Sequence, residues 1–341
     1  MSIQSFGRTG DGVPVDEVKL VLPNGAVASF ISFGAVWRDL LVPVPGGGPR
    51  RVVLGFRDLP GYEADHMQTG ATLGRCGNRT AHGKFTLDGK TYQLPLNEKG
   101  RTHLHGGPNG FSRRPWTVDG HDDNSVALSL VSPDGEAGYP GRVVAKCVYR
   151  LLPPATVRIE YSATTDAPTI VNLANHAYFS LDHGKSIRGH RLTLNCSRYT
   201  PSDPATLLPT GQIAPVEGTL YDFRGGKPLL HPSGDDKFMF DMNFVIDRKG
   251  DGLVHAASVD APGSPVRMEV HTTEPGLQLY DASGMAPGPA GIDGKPFFKN
   301  AGFCLEAQKF PDSANHPEWP TVVLRPGQAY ATVTEYRFIA A

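Results

Sequence analysis

The sequence predicts an all-β protein, a large β-sandwich built by residues 1–341 as a single domain. Three observations predict it. Apolar and polar residues alternate with period two along much of the chain. Turn formers are abundant, with 40 glycines and 30 prolines in 341 residues, and no G-X-Y period accounts for them. No stretch of a dozen residues sustains an i, i+3, i+4, i+7 apolar stripe without a Gly or Pro interrupting it.

Taken in order, residues 18–22 and 26–31 read as two strands joined across Pro23-Asn24-Gly25. Lys84–Leu87 and Lys90–Leu94 form a hairpin closed by Asp88-Gly89, a pair suited to the positive φ angles of a type I′ turn. Phe85, Leu87, Tyr92 and Leu94 then share the buried face. Residues 125–131 place Val126, Leu128 and Leu130 on one side, and Val157, Ile159 and Tyr161 repeat the pattern. Near the C-terminus Val333, Glu335 and Arg337 alternate with Thr332, Thr334, Tyr336 and Phe338. One short turn of helix is expected at Leu59–Asp65 or Ala205–Leu208. Gly46–Pro49 and Asp235–Lys237 read as surface loops too short to separate domains, and no fixed-period repeat suggests a propeller or solenoid.

Hydrophobic residues make up 39% of the chain, enough for a substantial core, and 33 basic against 34 acidic residues leave a net charge of −1. Such a balance gives no field to attract a polyanion, so neither nucleic acid nor an anionic membrane is expected as a partner. Cys76, Cys147, Cys196 and Cys304 have no metal or redox spacing and read as reduced, semi-buried thiols. The first residues lack the basic start and apolar stretch of a signal peptide, and no apolar run approaches ~18 residues. A cytoplasmic protein, a monomer or weak homodimer, is the expectation. Phosphate-binding, dinucleotide-binding, nucleophile-elbow and H-E-x-x-H patterns are all missing, so no cofactor is expected. His103 and His105, two apart on one strand face, have a spacing that could ligate a metal. No further ligand completes the set nearby, and no metal is expected.

Four segments concentrate polar residues in apolar surroundings: Gly74–Arg79, His103–Gly107, Val171–Phe179 and Gly302–Gln308. Each residue has a plain reading. His176 in an apolar run reads first as a satisfied core histidine. Glu306, flanked by Phe303, Leu305 and Ala307, either meets an Arg or Lys or performs a task. Arg79 could pair a buried carboxylate. Together, however, histidines, a semi-buried Glu, Arg, Asn and aromatics suit a neutral polyhydroxylated ligand.

The chain resembles the aldose 1-epimerase (galactose mutarotase) family along nearly its whole length. The resemblance rests on Gly74-Arg75-Cys76-Gly77-Asn78-Arg79, on Leu94-Pro95-Leu96-Asn97 with Leu104-His105-Gly106-Gly107, and on Asn172–Phe179. Asp241-Met242-Asn243-Phe244, Pro275-Gly276-Leu277-Gln278, Leu305-Glu306-Ala307-Gln308 with Pro311–Asn315, and Leu324-Arg325-Pro326-Gly327 complete it. It implies the family's galactose mutarotase-like supersandwich and a free aldose, such as galactose or glucose, as substrate. It implies Glu306 as general base and His176 as general acid. Asn78, Arg79, His105, Asp241 and Gln278 would bind sugar hydroxyls or hold the catalytic pair. Ala174, Ala177, Ser180 and Gly77 depart from the family pattern, which bears on sugar preference.

The implied reaction needs the C1 hydroxyl to lose a proton while the ring oxygen gains one, with acid and base expected on opposite sides of the C1–O5 edge. A histidine titrating near ~6.5 and a carboxylate raised by burial would suit those roles. Three alternatives stand beside it. A hexose-6-phosphate 1-epimerase would need extra cations, for which Arg101, Arg113 and Arg114 are candidates. A non-catalytic sugar-binding module would need neither acid nor base. A glycosidase would use two carboxylates, for which only Glu306 and Asp241 stand out.

Overall fold

Alternation along the chain becomes register in space. A computed structural model describes residues 2–182, 184–231, 233–235 and 237–340. Its largest sheet has nine strands in the order Thr117–His121, Ser125–Ser132, Val143–Leu152, Thr156–Thr165, Tyr330–Ala340, Val266–Thr272, Val254–Asp260, Arg191–Leu194 and Lys227–Pro228. Two five-stranded sheets accompany it. One runs in sequence order through Ser2–Arg8, Pro14–Val21, Val27–Ile31, Val36–Val42 and Arg50–Arg51. The other has the order Ala214–Pro215, Arg198–Thr200, Asp241–Val245, Gly276–Tyr280 and Cys304–Gln308. All of these pairings are antiparallel.

One buried cluster draws on all three sheets: Phe30 and Trp37 from the first, Tyr149, Ile159 and Tyr336 from the nine-stranded sheet, Phe244, Leu277 and Leu305 from the third. Trp37 is completely buried, its ring 5.5 Å from those of both Phe179 and Tyr336. Burying side chains of this size stabilises by ~1.5–3 kcal/mol each, which is why the strands hold their inward faces.

The expected hairpins form. Lys84–Leu87 pairs with Lys90–Gln93 across Asp88 and Gly89, at φ 51° and 79°, the two positive values a type I′ turn needs. Phe85, Leu87 and Leu94 are buried with Tyr92 packed against them. Of the two helical expectations, Leu59–Ala64 is a helix, capped by the Asp58 carboxylate accepting the Gly61 N–H at 3.1 Å. Ala205–Leu208 is not helical. The Asp203 carboxylate accepts the N–H groups of Ala205 and Thr206, and Leu207 at φ 58° turns the chain away; a side chain offering such bonds competes with helix. Asp236 of the expected Asp235–Lys237 loop lies outside the described residues. No helix among the described residues is long and apolar enough to cross a membrane.

Arg75 anchors the segment that carries Asn78 and Arg79. It is 2% exposed, and its guanidinium donates to the Ser132 hydroxyl at 2.8 and 3.0 Å and to the Pro133 and Pro140 carbonyls at 2.7 and 2.8 Å. Its role is structural: removal leaves several buried acceptors without a donor, each costing ~1–3 kcal/mol. Arg75→Met is therefore expected to lose roughly 3–5 kcal/mol of stability, read as a lower urea midpoint. A shift below ~1 kcal/mol would mean that the network adds little.

Candidate active site

Strand alternation on the third sheet decides what reaches the site. Met242, Phe244, Leu277, Leu279, Leu305 and Ala307 belong to the core, so Asp241, Asn243, Gln278, Tyr280, Cys304 and Glu306 take the opposite face. Register aligns them across strands, Gln278 beside Glu306 and Asp241 beside Tyr280. The His176 segment is held by other contacts. Ala174–Asn175 pairs with Thr72–Leu73, His176 N–H donates to the Ala71 carbonyl at 2.9 Å, and Phe179 bridges to Phe303. Gly77 N–H donates to the Asn172 carbonyl at 2.7 Å, joining the Asn78–Arg79 segment to the same group.

These elements wall a cavity of about 290 Å³, at the lower end of the ~300–1,000 Å³ of small-molecule sites and suited to a monosaccharide. Asn78, Arg79, His105, His176, Asp241 and Glu306 all line it. Gln278 stands just behind, its amide donating to Asp241 Oδ1 at 2.5 Å. All seven residues named from the sequence therefore converge.

Their hydrogen bonds set what each can offer. His105 N–H donates to the Asn78 carbonyl at 3.0 Å, and Asn78 N–H donates back to His105 Nδ1 at 3.1 Å. Burial, with His176 and Arg79 adding to it, pulls His105 well below the usual histidine range. The ring is thus neutral with Nδ1 occupied as acceptor, so Nε2 carries the hydrogen and is a donor for a hydroxyl. His103 does not share that face, contrary to the expected i, i+2 pair. His105 adopts φ 53° just after the strand Thr102–Leu104, and His103 instead binds the Pro95 carbonyl and the Tyr139 hydroxyl, each at 2.8 Å.

Arg79 meets partly buried carboxylates, close to what one sequence reading allowed. Its Nη1 lies 3.3 Å from Asp241 Oδ2, and Nε and Nη2 grip Glu98 at 2.8 Å each. Burial opposes ionisation of Glu98, but the guanidinium and the Thr102 hydroxyl hold its carboxyl below the ordinary value. Sequence reasoning missed Glu98, which directly follows the Leu94–Asn97 motif. Being a single acid in a loop, it leaves no periodic signal.

Glu306 is 2% exposed; its close ionisable contact is His176, with Nε2 3.7 Å from Oε1, while Oε2 has no hydrogen-bond partner. Burial first, then the nearby Asp241, raises the Glu306 carboxyl well above its ordinary value despite Arg79. Burial pulls His176 down to about 4, which overturns the expectation of an imidazole titrating near neutrality. The expected placement on opposite sides of the substrate edge also changes. At 3.7 Å no ring fits between the two groups, so they stand side by side. Side-by-side groups suit two oxygens bonded to one carbon, as O1 and O5 of a hemiacetal are.

His176, Cys304 and Glu306 offer metal-ligand atoms within 4.8 Å of one another. The sulfur faces Nδ1 at 3.4 Å and the carboxylate faces Nε2. One ion could not engage both through a single ring nitrogen, so the cluster is arranged for proton traffic better than for a cation.

A β-sandwich presenting a polar, monosaccharide-sized cavity, with an imidazole and a carboxylate on one wall able to pass protons to neighbouring oxygens, defines a sugar isomerase. The comparisons with known proteins carry this one step further. A model of the family described as Aldose 1-epimerase matches residues 16–337, and the chain belongs to that family. It is 36% identical over 338 residues to the aldose 1-epimerase of Escherichia coli strain K12, covering 97% of each chain. It is 40% identical to the galactose mutarotase of Rattus norvegicus, covering 98% of each. The solved structure of a GalM/aldose epimerase homologue from C. elegans superposes with a TM-score of 0.89 at 30% identity, over 95% of this chain and 99% of that one. A galactose 1-epimerase from Lactobacillus acidophilus does so with a TM-score of 0.84 at 25% identity, over 100% and 98%.

Proposed function

We propose that this chain interconverts the α and β anomers of a free aldose, with Glu306 as general base and His176 as general acid. The observation that carries the reading is the 3.7 Å approach of His176 Nε2 to Glu306 Oε1 on the cavity wall. Glu306 takes the proton of the C1 hydroxyl while the His176 imidazolium gives its Nε2 proton to O5. The C1–O5 electron pair leaves with O5, C1–O1 becomes a carbonyl, and the open aldehyde turns about C1–C2. Reclosure by the reverse transfers gives either anomer. Carboxylate with imidazolium, and carboxylic acid with neutral imidazole, hold the same single proton. Ring opening therefore moves one proton between two forms of equal net charge, which a buried site tolerates.

Arg79, bound on three nitrogens by Glu98 and Asp241, acts with Asn78, His105, Asp241 and Gln278 to fix the sugar so that both transfers occur within hydrogen-bond reach. A single domain is supported by the continuous core from Val18 to Phe338. The three arginines considered for a phosphorylated substrate are not placed for it: Arg113 donates to the Glu63 and Asp65 carbonyls, Arg114 pairs with Glu136, and neither these nor Arg101 line the cavity, whose wall carries Lys99 beside Arg79. A glycosidase is disfavoured because Asp241 is engaged by Arg79 and Gln278. Anomer-resolved NMR exchange across free and 6-phosphorylated aldoses tests the reading: free sugars should exchange faster than the spontaneous rate. Absence of that acceleration would leave a binding module.

The pair also sets the pH dependence. A second proton on it, entering an imidazole held down to about 4, stops the cycle. So does loss of the shared proton from a carboxyl held well above its ordinary value. kcat/KM, which reports the free enzyme, should fall on the acid side near pH 4 and on the alkaline side well above ordinary carboxylate titration. Polarimetry with the spontaneous rate subtracted measures it. An acid limb centred near the ordinary histidine value of ~6.5 would overturn the shared-proton account.

A further inference from the structure

Cys304 has no part in the reaction as described, yet it is fully buried and lies 3.4 Å from His176 Nδ1. It stands two residues before Glu306 on one strand, so its side chain takes the same face. One strand thus addresses both nitrogens of the ring, sulfur at Nδ1 and carboxylate at Nε2.

The direction of the sulfur contact follows from the other side of the ring. The Glu306 carboxyl, raised well above its ordinary value by burial, faces Nε2 at 3.7 Å. Carrying the proton the pair shares, it leaves Nε2 as the acceptor and puts the ring hydrogen on Nδ1, against sulfur. Burial holds Cys304 in its thiol form, whose sulfur lone pairs accept that hydrogen. The other groups facing the ring are Tyr178 and His105, 5.1 and 5.3 Å away between centroids, and Glu306, with Arg79, Glu98, Lys99, Asp241 and Tyr280 elsewhere on the cavity wall.

We propose that Cys304 is the positioning residue that fixes the His176 tautomer. The contact from Nδ1–H to sulfur keeps a hydrogen on Nδ1, and Nε2 is then the nitrogen that exchanges protons with the sugar. Sulfur is a weak acceptor. It orients the ring as a carboxylate would, but without the charge that would stabilise the imidazolium and make it a poorer acid. The proposal rests on His176 being the general acid.

Long-range ¹H–¹⁵N spectra of histidine-labelled protein test it, with His176 assigned by loss of its signals in His176→Asn. The wild type should show neutral His176 with hydrogen on Nδ1. Cys304→Ala should give mixed tautomers and a kcat lower by roughly 10–100-fold, with KM within about twofold if the contact acts only on the acid. Cys304→Ser should restore the single tautomer and most of kcat. Wild-type His176 carrying its hydrogen on Nε2, or Cys304→Ala with tautomer and kcat unchanged, would overturn the proposal and leave His176 as the acid. Full activity in His176→Asn would overturn that underlying reading instead.

Discussion

Glu306→Gln is expected to slow mutarotation by ~10²–10⁴-fold, the range for removing one acid–base group, while sugar binding survives. Glutamine keeps the shape of the side chain but cannot take the C1 hydroxyl proton. The substitution should not harm the fold. Burial already raises the Glu306 carboxyl well above its ordinary value, and a neutral amide costs less to bury than a carboxylate. Polarimetry on freshly dissolved α-D-glucose or α-D-galactose gives the rate, and calorimetric titration with the same sugar gives the affinity. The residual rate should also fall as pH rises, because His176, pulled to about 4, is then the one titrating group left and must be protonated to act. A variant of undiminished rate would remove Glu306 from its role.

His176→Asn is expected to cost a similar ~10²–10⁴-fold, since among the described residues His176 is the cavity-wall side chain that pairs with Glu306. His105 is the nearest imidazole, 5.3 Å from the His176 ring. Its Nδ1 is committed to Asn78, and burial holds it neutral. Here the residual rate should rise with pH, because Glu306 alone must lose a proton before it can accept one. Opposite pH slopes in the two variants distinguish base from acid, which equal losses of rate would not. A near-normal rate in His176→Asn would mean that another group protonates the ring oxygen.

Much of this site was legible before any coordinates. Asn78, Arg79, His105, His176, Asp241 and Glu306 stood in motifs of the family pattern, and all of them line the cavity. Period-two alternation placed Val157, Ile159 and Tyr161 on a buried face, and a two-residue Asp-Gly turn marked its hairpin, because both are local properties of a pleated strand. Glu98 and Cys304 were not legible in their roles. Each acts through a residue far off in the chain, Arg79 at 2.8 Å and His176 at 3.4 Å, and no local pattern at either position names that partner. The i, i+2 inference for His103 and His105 failed because a left-handed φ at His105 ends the strand between them.

The chain by itself determined the layered β architecture, the family and which residues are proposed as acid and base. Hydrophobic alternation, turn chemistry and residue type are written along the backbone, and short-range sterics enforce them. Only the folded arrangement decided the working state of those residues: the imidazole lowered, the carboxyl raised, and the two side by side. Protonation in a buried site depends on desolvation and on charges from several distant segments, and those quantities exist only once packing has excluded water.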